Sequence, residues 1–172
     1  MNFDYKHLLQ ENFSSDSRVW IYQSSRLFTM SEAFEIEDLL HEFTNKWLSH
    51  GTPVKGTSHL FFGQFIILMA DEKATGVSGC STDSSVRLIK DIEQKLGINL
   101  FDRTTLAFAI KDNVQLLPLS QLQYSFDNGF ITADTIYFNN LVQTKDELEN
   151  GWMVKVKESW LGKKISIQKS AS

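Results

Sequence analysis

The chain has 172 residues, of which 42% are hydrophobic and 22% charged, a balance typical of one globular domain. Its net charge of −4 argues against nucleic acid or an anionic membrane surface as the main partner. A single cysteine, Cys80, cannot form an internal disulfide, and the sequence has neither a signal-peptide layout nor an apolar stretch long enough to span a bilayer. We therefore expect a soluble, cytoplasmic protein.

The beginning of the chain predicts a loosely held leader over residues 1–17, because residues 12–17 are polar and typical of turns. A β-rich run at residues 19–22 predicts the first strand. We expect a single α+β domain over residues 18–160, followed by a flexible tail over residues 161–172.

The next segment has the most regular pattern in the chain and predicts a helix. Thr29 and Glu32 form a capping-box pattern, in which each side chain caps the backbone N–H group of the other residue. Apolar residues then recur at steps of three and four as far as Trp47, as they do on one face of a helix. Gly51 predicts the end of this helix, and Pro53 prevents its continuation.

Two strands and a second helix are predicted to follow. Residues 54–61 and 64–70 have strand character and are joined near Gly63. The second of these strands is apolar on both faces, which is typical of a central strand. Residues 82–96 have helical spacing, and the helix they predict ends at Gly97.

The later elements are a hairpin over residues 106–117, a short helix over 121–126, a strand over 135–138 and a second capping box at Thr144 and Glu147. Up to the first strand of that hairpin, the predicted order is β-α-β-β-α-β. This order is the ferredoxin-like plan, an antiparallel sheet with two helices on one face. The remaining elements are expected to form a C-terminal β/α extension.

Small polar residues are densest in the loop of residues 76–85, between a buried strand and the start of a helix. A helix N-terminus has unpaired N–H groups and the positive end of the helix dipole. The backbone near Gly79, Ser81, Thr82 and Asp83 therefore predicts a site for a small anionic ligand, such as a phosphate or a carboxylate.

A second interpretation of this loop is a thiol-dependent hydrolase or transferase. The field of the helix would lower the pKa of Cys80 and make its thiolate a nucleophile. The predicted fold places His50, Asp71 and Glu72 at the same end of the domain as Cys80. His50 is then the candidate base, and Asp71 or Glu72 is the candidate carboxylate that orients it.

A purely structural interpretation stays open beside both of these. Ser81, Thr82 or Asp83 can simply cap the second helix, and a lone cysteine is often a small buried hydrophobic residue. A histidine in the last turn of a helix, as predicted for His50, often only interacts with the free carbonyl groups there.

Several motifs are absent from the sequence. It has no glycine-rich loop with the Walker lysine, no G-x-G-x-x-G fingerprint and no paired cysteine or histidine motif of a metal site. We therefore expect no cofactor and no metal. The basic residues from Lys155 to Lys169, together with Trp152 and Trp160, offer a weak partner or nucleic-acid surface, although a solvated tail behind two core tryptophans explains them more simply.

A family resemblance rests on four short motifs, which are Ser-Gly-Cys-Ser at 78–81, Asn-Leu-Phe-Asp-Arg at 99–103, Phe-Asn-Asn-Leu-Val at 138–142 and Ser-Trp at 159–160. From Arg18 to Trp160 the chain resembles small bacterial proteins that automated naming often describes as "ABC transporter ATPase". The resemblance implies no substrate and no catalytic residue. ATP hydrolysis is not expected here, because the Walker lysine is missing and residues 77–81 only faintly echo the signature loop of an ABC ATPase.

Residues 119–152 also resemble small GYF-type modules, with a short helix, a stop at Asn128 and Gly129, and a following strand. Those modules bind peptides. The sequence thus favours a non-catalytic binding or interaction domain whose small-ligand site is the loop of residues 76–85. The alternative is the thiol enzyme, and the third hypothesis is a structural or partner-binding protein that uses its aromatic C-terminal region.

Overall fold

The computed structural model of the protein describes residues 1–75 and 83–165, and they form a mixed α+β fold with antiparallel sheets. The strands are β1 (Arg18–Gln23), β2 (Leu48–Ser49), β3 (Thr52–Pro53), β4 (Gly56–Phe61), β5 (Phe65–Ala70), β6 (Thr105–Ile110), β7 (Asn113–Pro118), β8 (Ile136–Phe138) and β9 (Met153–Lys155). The α-helices are α1 (Met30–Lys46), α2 (Glu72–Thr75), α3 (Asp83–Leu96), α4 (Leu122–Asp127) and α5 (Lys145–Gly151), and short 3-10 helices are formed by Lys6–Leu8, Leu119–Gln121, Val156–Glu158 and Trp160–Lys163.

The first sheet has the strand order β1-β5-β4, and both of its pairings are antiparallel. All six residues of β5 are buried, so the prediction of a central, doubly covered strand is confirmed. Alternate residues of a strand point to opposite faces, and β5 contributes Ile66 and Leu68 to one core and Ile67 and Met69 to another.

Two helices, α1 and α3, cover one face of the first sheet. The capping box of Thr29 and Glu32 is present at the start of α1, as predicted. Both helices direct an aliphatic stripe toward the sheet. The shared core contains Ile36 and Leu40 of α1, Ile89 and Ile92 of α3, and Ile66 and Leu68 of β5.

The end of α1 differs from the prediction. The helix ends at Lys46, and Trp47 turns away in an extended conformation instead of continuing to Gly51. The Trp47 side chain is 2% exposed and packs with Val54, and its ring lies so close to Gly56 that an added Cβ there would be 2.6 Å away. Burial of this large ring therefore outweighs one more turn of helix.

The residues after Trp47 form a small hairpin of β2 and β3. Its two turn residues, His50 and Gly51, both have positive φ, of 51° and 80°. This is the conformation of a tight hairpin turn whose twist matches that of its strands. Gly51 thus adopts its positive φ in a hairpin turn and not at the end of a helix.

The second sheet has the order β7-β6-β8-β9, and the ferredoxin-like prediction is wrong at this point. That plan requires β6 to join the first sheet beside β1. Instead, β6 pairs along its whole length with β7 and through Phe108 and Ala109 with β8. Both edges of β6 are thereby occupied, so β6 belongs to a second, four-stranded sheet and not to the first.

The second sheet packs on the face of the first sheet that α1 and α3 leave open. The core between the sheets is aromatic, and Trp152 is fully buried in it, with its ring centroid 5.2 Å from that of Phe65. A chain of hydrogen bonds also crosses this interface. The Trp152 indole donates to Asn140, the Asn140 amide to Gln23, and the Gln23 amide to the carbonyl of Thr105.

Buried residues occur within the predicted leader over residues 1–17 and at the start of the predicted tail, whose residues 166–172 lie outside the described part of the chain. Tyr5, Leu9 and Phe13 are 2%, 5% and 8% exposed and belong to the core between the sheets. Leu161 and Ile165 are buried with residues of the second sheet. Residues 1–13 therefore act as a structural segment of the fold.

Candidate functional site

Most of the predicted ligand loop lies outside the described residues. This applies to Gly79, Cys80, Ser81 and Thr82, so the anion site and the thiol nucleophile stay predictions. Of the predicted ligand residues, Asp83 is described, and it is an exposed residue at the start of α3.

His50, the predicted base, is an exposed residue at the tip of the β2–β3 hairpin. It is not in the last turn of a helix, because α1 ends at Lys46. Its position is set by the positive φ of the turn, and its side chain therefore projects from a surface loop.

Asp71, the predicted orienting carboxylate, is 4% exposed at the end of β5. Its Oδ2 accepts the backbone N–H of Ser14 at 3.0 Å and lies 3.4 Å from Lys55 Nζ, and its Oδ1 accepts the backbone N–H of Ala74 at 3.2 Å. Burial alone would raise the pKa of this carboxyl, but these donors together hold it below its usual value.

The geometry around Asp71 is that of a structural anchor. One carboxylate joins the N-terminal segment at Ser14, the segment before β4 at Lys55 and the start of α2 at Ala74. The adjacent Glu72 forms an ion pair with Arg18, with Nη1 and Oε1 separated by 3.2 Å. Both carboxylates are thus engaged by donors other than a histidine.

No cluster of three or more metal-binding side chains occurs within residues 1–75 and 83–165. Over the same residues, none of the helices is both long enough and apolar enough to cross a membrane.

An open groove lies between the second sheet and α4, and we call it the aromatic groove. Its volume is about 580 Å³, and its floor includes Phe108 and Ile110 of β6. Tyr124 and Phe130 line it while remaining 63% and 67% exposed. Gln115, which faces the same side of the sheet as its cross-strand partner Phe108, adds a polar group to the lining.

The local sequence explains why the two aromatic side chains flank this groove. Helix α4 buries Leu122 and Ser125, so the intervening Tyr124 lies on the outer side of this short helix. After it, Gly129 has a φ of 74°, and the N–H of Phe130 donates to the carbonyl of Ser125. This Schellman motif ends the helix and fixes the backbone of Phe130 beside it.

The sequence prediction identified the helix and its Asn-Gly stop but not the aromatic groove. One available signal is the helical period, because placing Leu122 and Phe126 inward leaves Tyr124 outward. The exposure of Phe130 has no such signal. A hydrophobic residue after a Schellman glycine usually covers the helix end, whereas Phe130 is left largely open to solvent.

Comparison of the chain with family models, with curated proteins and with solved structures found no match. Within the described residues, the aromatic groove combines an apolar floor with two exposed aromatic side chains.

Proposed function

We propose that this protein is a non-catalytic interaction domain whose aromatic groove binds a proline-rich segment of a partner protein. The observation that carries the proposal is the pair of solvent-exposed aromatic side chains, Tyr124 and Phe130, beside an apolar floor. Exposed apolar surface next to a concave site is typical of interaction surfaces, in which aromatic residues are enriched.

The chemistry of the groove suits a polyproline II segment. Such a segment is extended before binding, so little conformational entropy is lost when it docks, and its backbone carbonyls have no internal partners. Tyr124 and Phe130 offer flat faces to proline rings. The carboxamides of Gln115 and Gln121, which also line the groove, can donate to the exposed carbonyls.

The resemblance of residues 119–152 to GYF-type peptide-binding modules also supports the proposal. The groove lies on α4 and the strands around it, within and beside the segment that carries the resemblance. The acidic net charge of −4 favours a protein partner over nucleic acid. We place this activity in the cytoplasm, in keeping with a single cysteine.

The test is titration of the isotope-labelled protein with a decaproline peptide, followed by the chemical shifts of its backbone amides. We expect the shifts to change at α4 and β7. The double variant Tyr124→Ala/Phe130→Ala should weaken binding by roughly tenfold or more, because aromatic anchors dominate interface energies.

Phe34→Ala is the matched control. Phe34 is 60% exposed, but it lies on α1 and does not line the aromatic groove. We expect it to leave decaproline binding unchanged. Equal binding by the double variant and the wild type, or shift changes confined to other surfaces, would refute the proposal.

The loop of residues 76–85 remains our proposed site for a small anionic ligand. We expect the backbone amides at the start of α3 to hold such an anion. The thiol-enzyme alternative predicts that iodoacetamide labels Cys80 at neutral pH much faster than it labels glutathione. Labelling at the rate of an ordinary thiol would eliminate this alternative.

A further inference from the structure

Among the residues that the structure describes, β4 is an edge strand of the first sheet, and the direction of its hydrogen-bonding groups follows from the register. Beyond the end of the β4–β5 ladder, the N–H of Asp71 donates to the carbonyl of Lys55. In an antiparallel pair, bonded and non-bonded residue pairs alternate. The pairs 57/69, 59/67 and 61/65 are therefore bonded, and the N–H and C=O groups of Ser58 and Leu60 face outward.

A second hydrogen bond gives the same assignment independently. At the other side of β5, the N–H of Ser24 donates to the carbonyl of Gln64, which continues the β1–β5 ladder. Even-numbered residues of β5 therefore bond to β1, and odd-numbered residues bond to β4. Within residues 1–75 and 83–165, no backbone partner outside the sheet is found for Ser58 or Leu60.

A groove of about 500 Å³, which we call the edge groove, runs along this edge. One wall is α1, which presents Glu37, Asp38 and His41, and the opposite wall includes Leu8, which is 50% exposed. The volume lies in the range of about 300–1,000 Å³ that is typical of ligand sites.

The α1 wall of the edge groove carries unneutralised negative charge. Three other glutamates of the same helix form ion pairs with basic residues. These pairs are Glu32 with Arg26, Glu35 with Lys95 and Glu42 with Lys46. Among the described residues, Glu37 and Asp38 form no ion pair. Both side chains are exposed, so they provide a fixed negative field over the open strand edge.

We propose that the edge groove binds a basic, extended segment of a partner protein, which adds to the first sheet as an antiparallel strand beside β4. Main-chain groups of Ser58 and Leu60 provide its hydrogen bonds, as in other cases of strand addition. Glu37 and Asp38 select its charge.

The register also predicts the pattern of the partner. In an antiparallel pairing, two residues that lie directly opposite each other have side chains on the same face of the sheet. The partner residues opposite Ser58 and Leu60 therefore share the face on which Leu60 packs toward the core of α1 and α3. Residues of the partner that bond β4 therefore point toward Glu37 and Asp38 and should be lysine or arginine. The intervening residues point toward the side of Leu8 and should be apolar.

A second copy of this chain is a poorer occupant. Pairing of two β4 edges would bring two acidic α1 walls together, and like charges across an interface oppose association. The aromatic groove is lined by residues of the second sheet and α4, so the two proposals concern separate surfaces and can fail independently.

The probe is a capped hexapeptide of alternating lysine and valine, and its binding is measured by calorimetry at low salt. We expect the double variant Glu37→Gln/Asp38→Asn to weaken binding by roughly fivefold or more. Glu42→Gln is the matched control, because it neutralises an exposed acid of the same helix that lies outside the edge groove. This control should bind the peptide as the wild type does.

A backbone test separates strand addition from simple charge attraction. Methylation of the lysine amide nitrogens should abolish binding, whereas methylation of the valine amide nitrogens should preserve it. On the protein side, Ser58→Pro removes an outward N–H without breaking a bond to β5 and should also weaken binding.

Two results of the peptide measurements would overturn the proposal. One is equal binding of the two methylated peptides, which would mean that the strand edge is not used. The other is a peptide affinity that Glu37→Gln/Asp38→Asn leaves unchanged. Concentration-dependent dimerisation that Ser58→Pro abolishes, without any peptide binding, would likewise overturn it in favour of a second copy.

Discussion

Asp71 shows how one buried carboxylate fixes three segments of the chain. It accepts the amides of Ser14 and Ala74 and faces the ammonium group of Lys55, so the variant Asp71→Asn would replace one accepting oxygen by a donor. We expect this variant to lower the free energy of unfolding by about 1–3 kcal/mol at neutral pH, measured by urea denaturation. Glu37→Gln, an exposed control, should change it by less than about 0.5 kcal/mol.

The effect of Asp71→Asn should depend on pH. The pKa of the folded-state carboxyl lies below its ordinary value of 3.8, so its contribution to stability is complete above that value and is lost as the pH falls through the folded-state pKa. The stabilities of wild type and variant should therefore converge in acid. A difference that persists unchanged at low pH would show that the charge of Asp71 is not what anchors the segments.

His59 makes a second pH-dependent contribution. Burial lowers the pKa of its imidazole from 6.5 to about 4, and Gln10 Oε1 lies 3.0 Å from Nε2. A carboxamide oxygen can only accept, so the ring must donate from Nε2. The ring lines the edge groove together with Glu37 and Asp38. The lowered pKa of the ring comes from its desolvation by burial.

Because the unfolded chain takes up this proton before the folded chain does, the protein should lose stability as the pH falls from 6.5 to about 4. The loss attributable to His59 should reach roughly 3 kcal/mol. Urea denaturation across this range, with His59→Gln compared with the wild type, measures it. A variant that retains the full pH dependence would contradict the assignment.

At the scale of elements, the sequence predicted those features that depend on interactions between residues close together in the chain. The capping boxes at Thr29 and Thr144 form as predicted, because each needs only residues three positions apart. The doubly apolar β5 is central. The end of α1 was not predictable in the same way, since it depends on Trp47 packing against Gly56, which lies beyond the hairpin.

The turn between β6 and β7 has a strained backbone conformation that lowers the stability of the fold. Its residues, Lys111 and Asp112, have φ values of 48° and 60°, which glycine and asparagine adopt more readily. We expect Lys111→Asn/Asp112→Gly to raise the free energy of unfolding by about 1 kcal/mol, measured by urea denaturation. The control Lys111→Gln/Asp112→Ser removes the same charges without supplying residues suited to positive φ and should not stabilise. Equal stabilisation by both would indicate charge rather than backbone strain.

At the scale of the whole molecule, the pairing of β6 separates the observed fold from the predicted ferredoxin-like one. Element order alone does not say which sheet a strand joins, because this depends on partners that follow later in the chain. Here β7 and β8 occupy both edges of β6. The aromatic groove could not be predicted from the sequence for the same reason. It forms between α4 and the second sheet, so its position depends on the pairing of β6 and β7.

Variants of the N-terminal segment can show whether the core between the sheets includes residues before the predicted domain boundary at residue 18. Leu8 and Leu9 are neighbours, but Leu8 is 50% exposed and Leu9 is 5% exposed within that core. Replacing Leu9 by Ala should create a cavity and cost about 2–4 kcal/mol of unfolding free energy. Replacing Leu8 by Ala should cost less than about 0.5 kcal/mol.

Urea denaturation of the two single variants under the same conditions gives the comparison directly, and each variant is chemically the same leucine-to-alanine change. The expected contrast arises because the Leu9 side chain leaves a void between packed residues, whereas the Leu8 side chain leaves only solvent. A Tyr5→Phe variant, which removes the hydrogen bond from the buried hydroxyl to the carbonyl of Leu148, should fall between them at about 1 kcal/mol. If Leu9→Ala proves as mild as Leu8→Ala, residues 1–17 are the loosely held leader predicted from the sequence and the two sheets are stable without them.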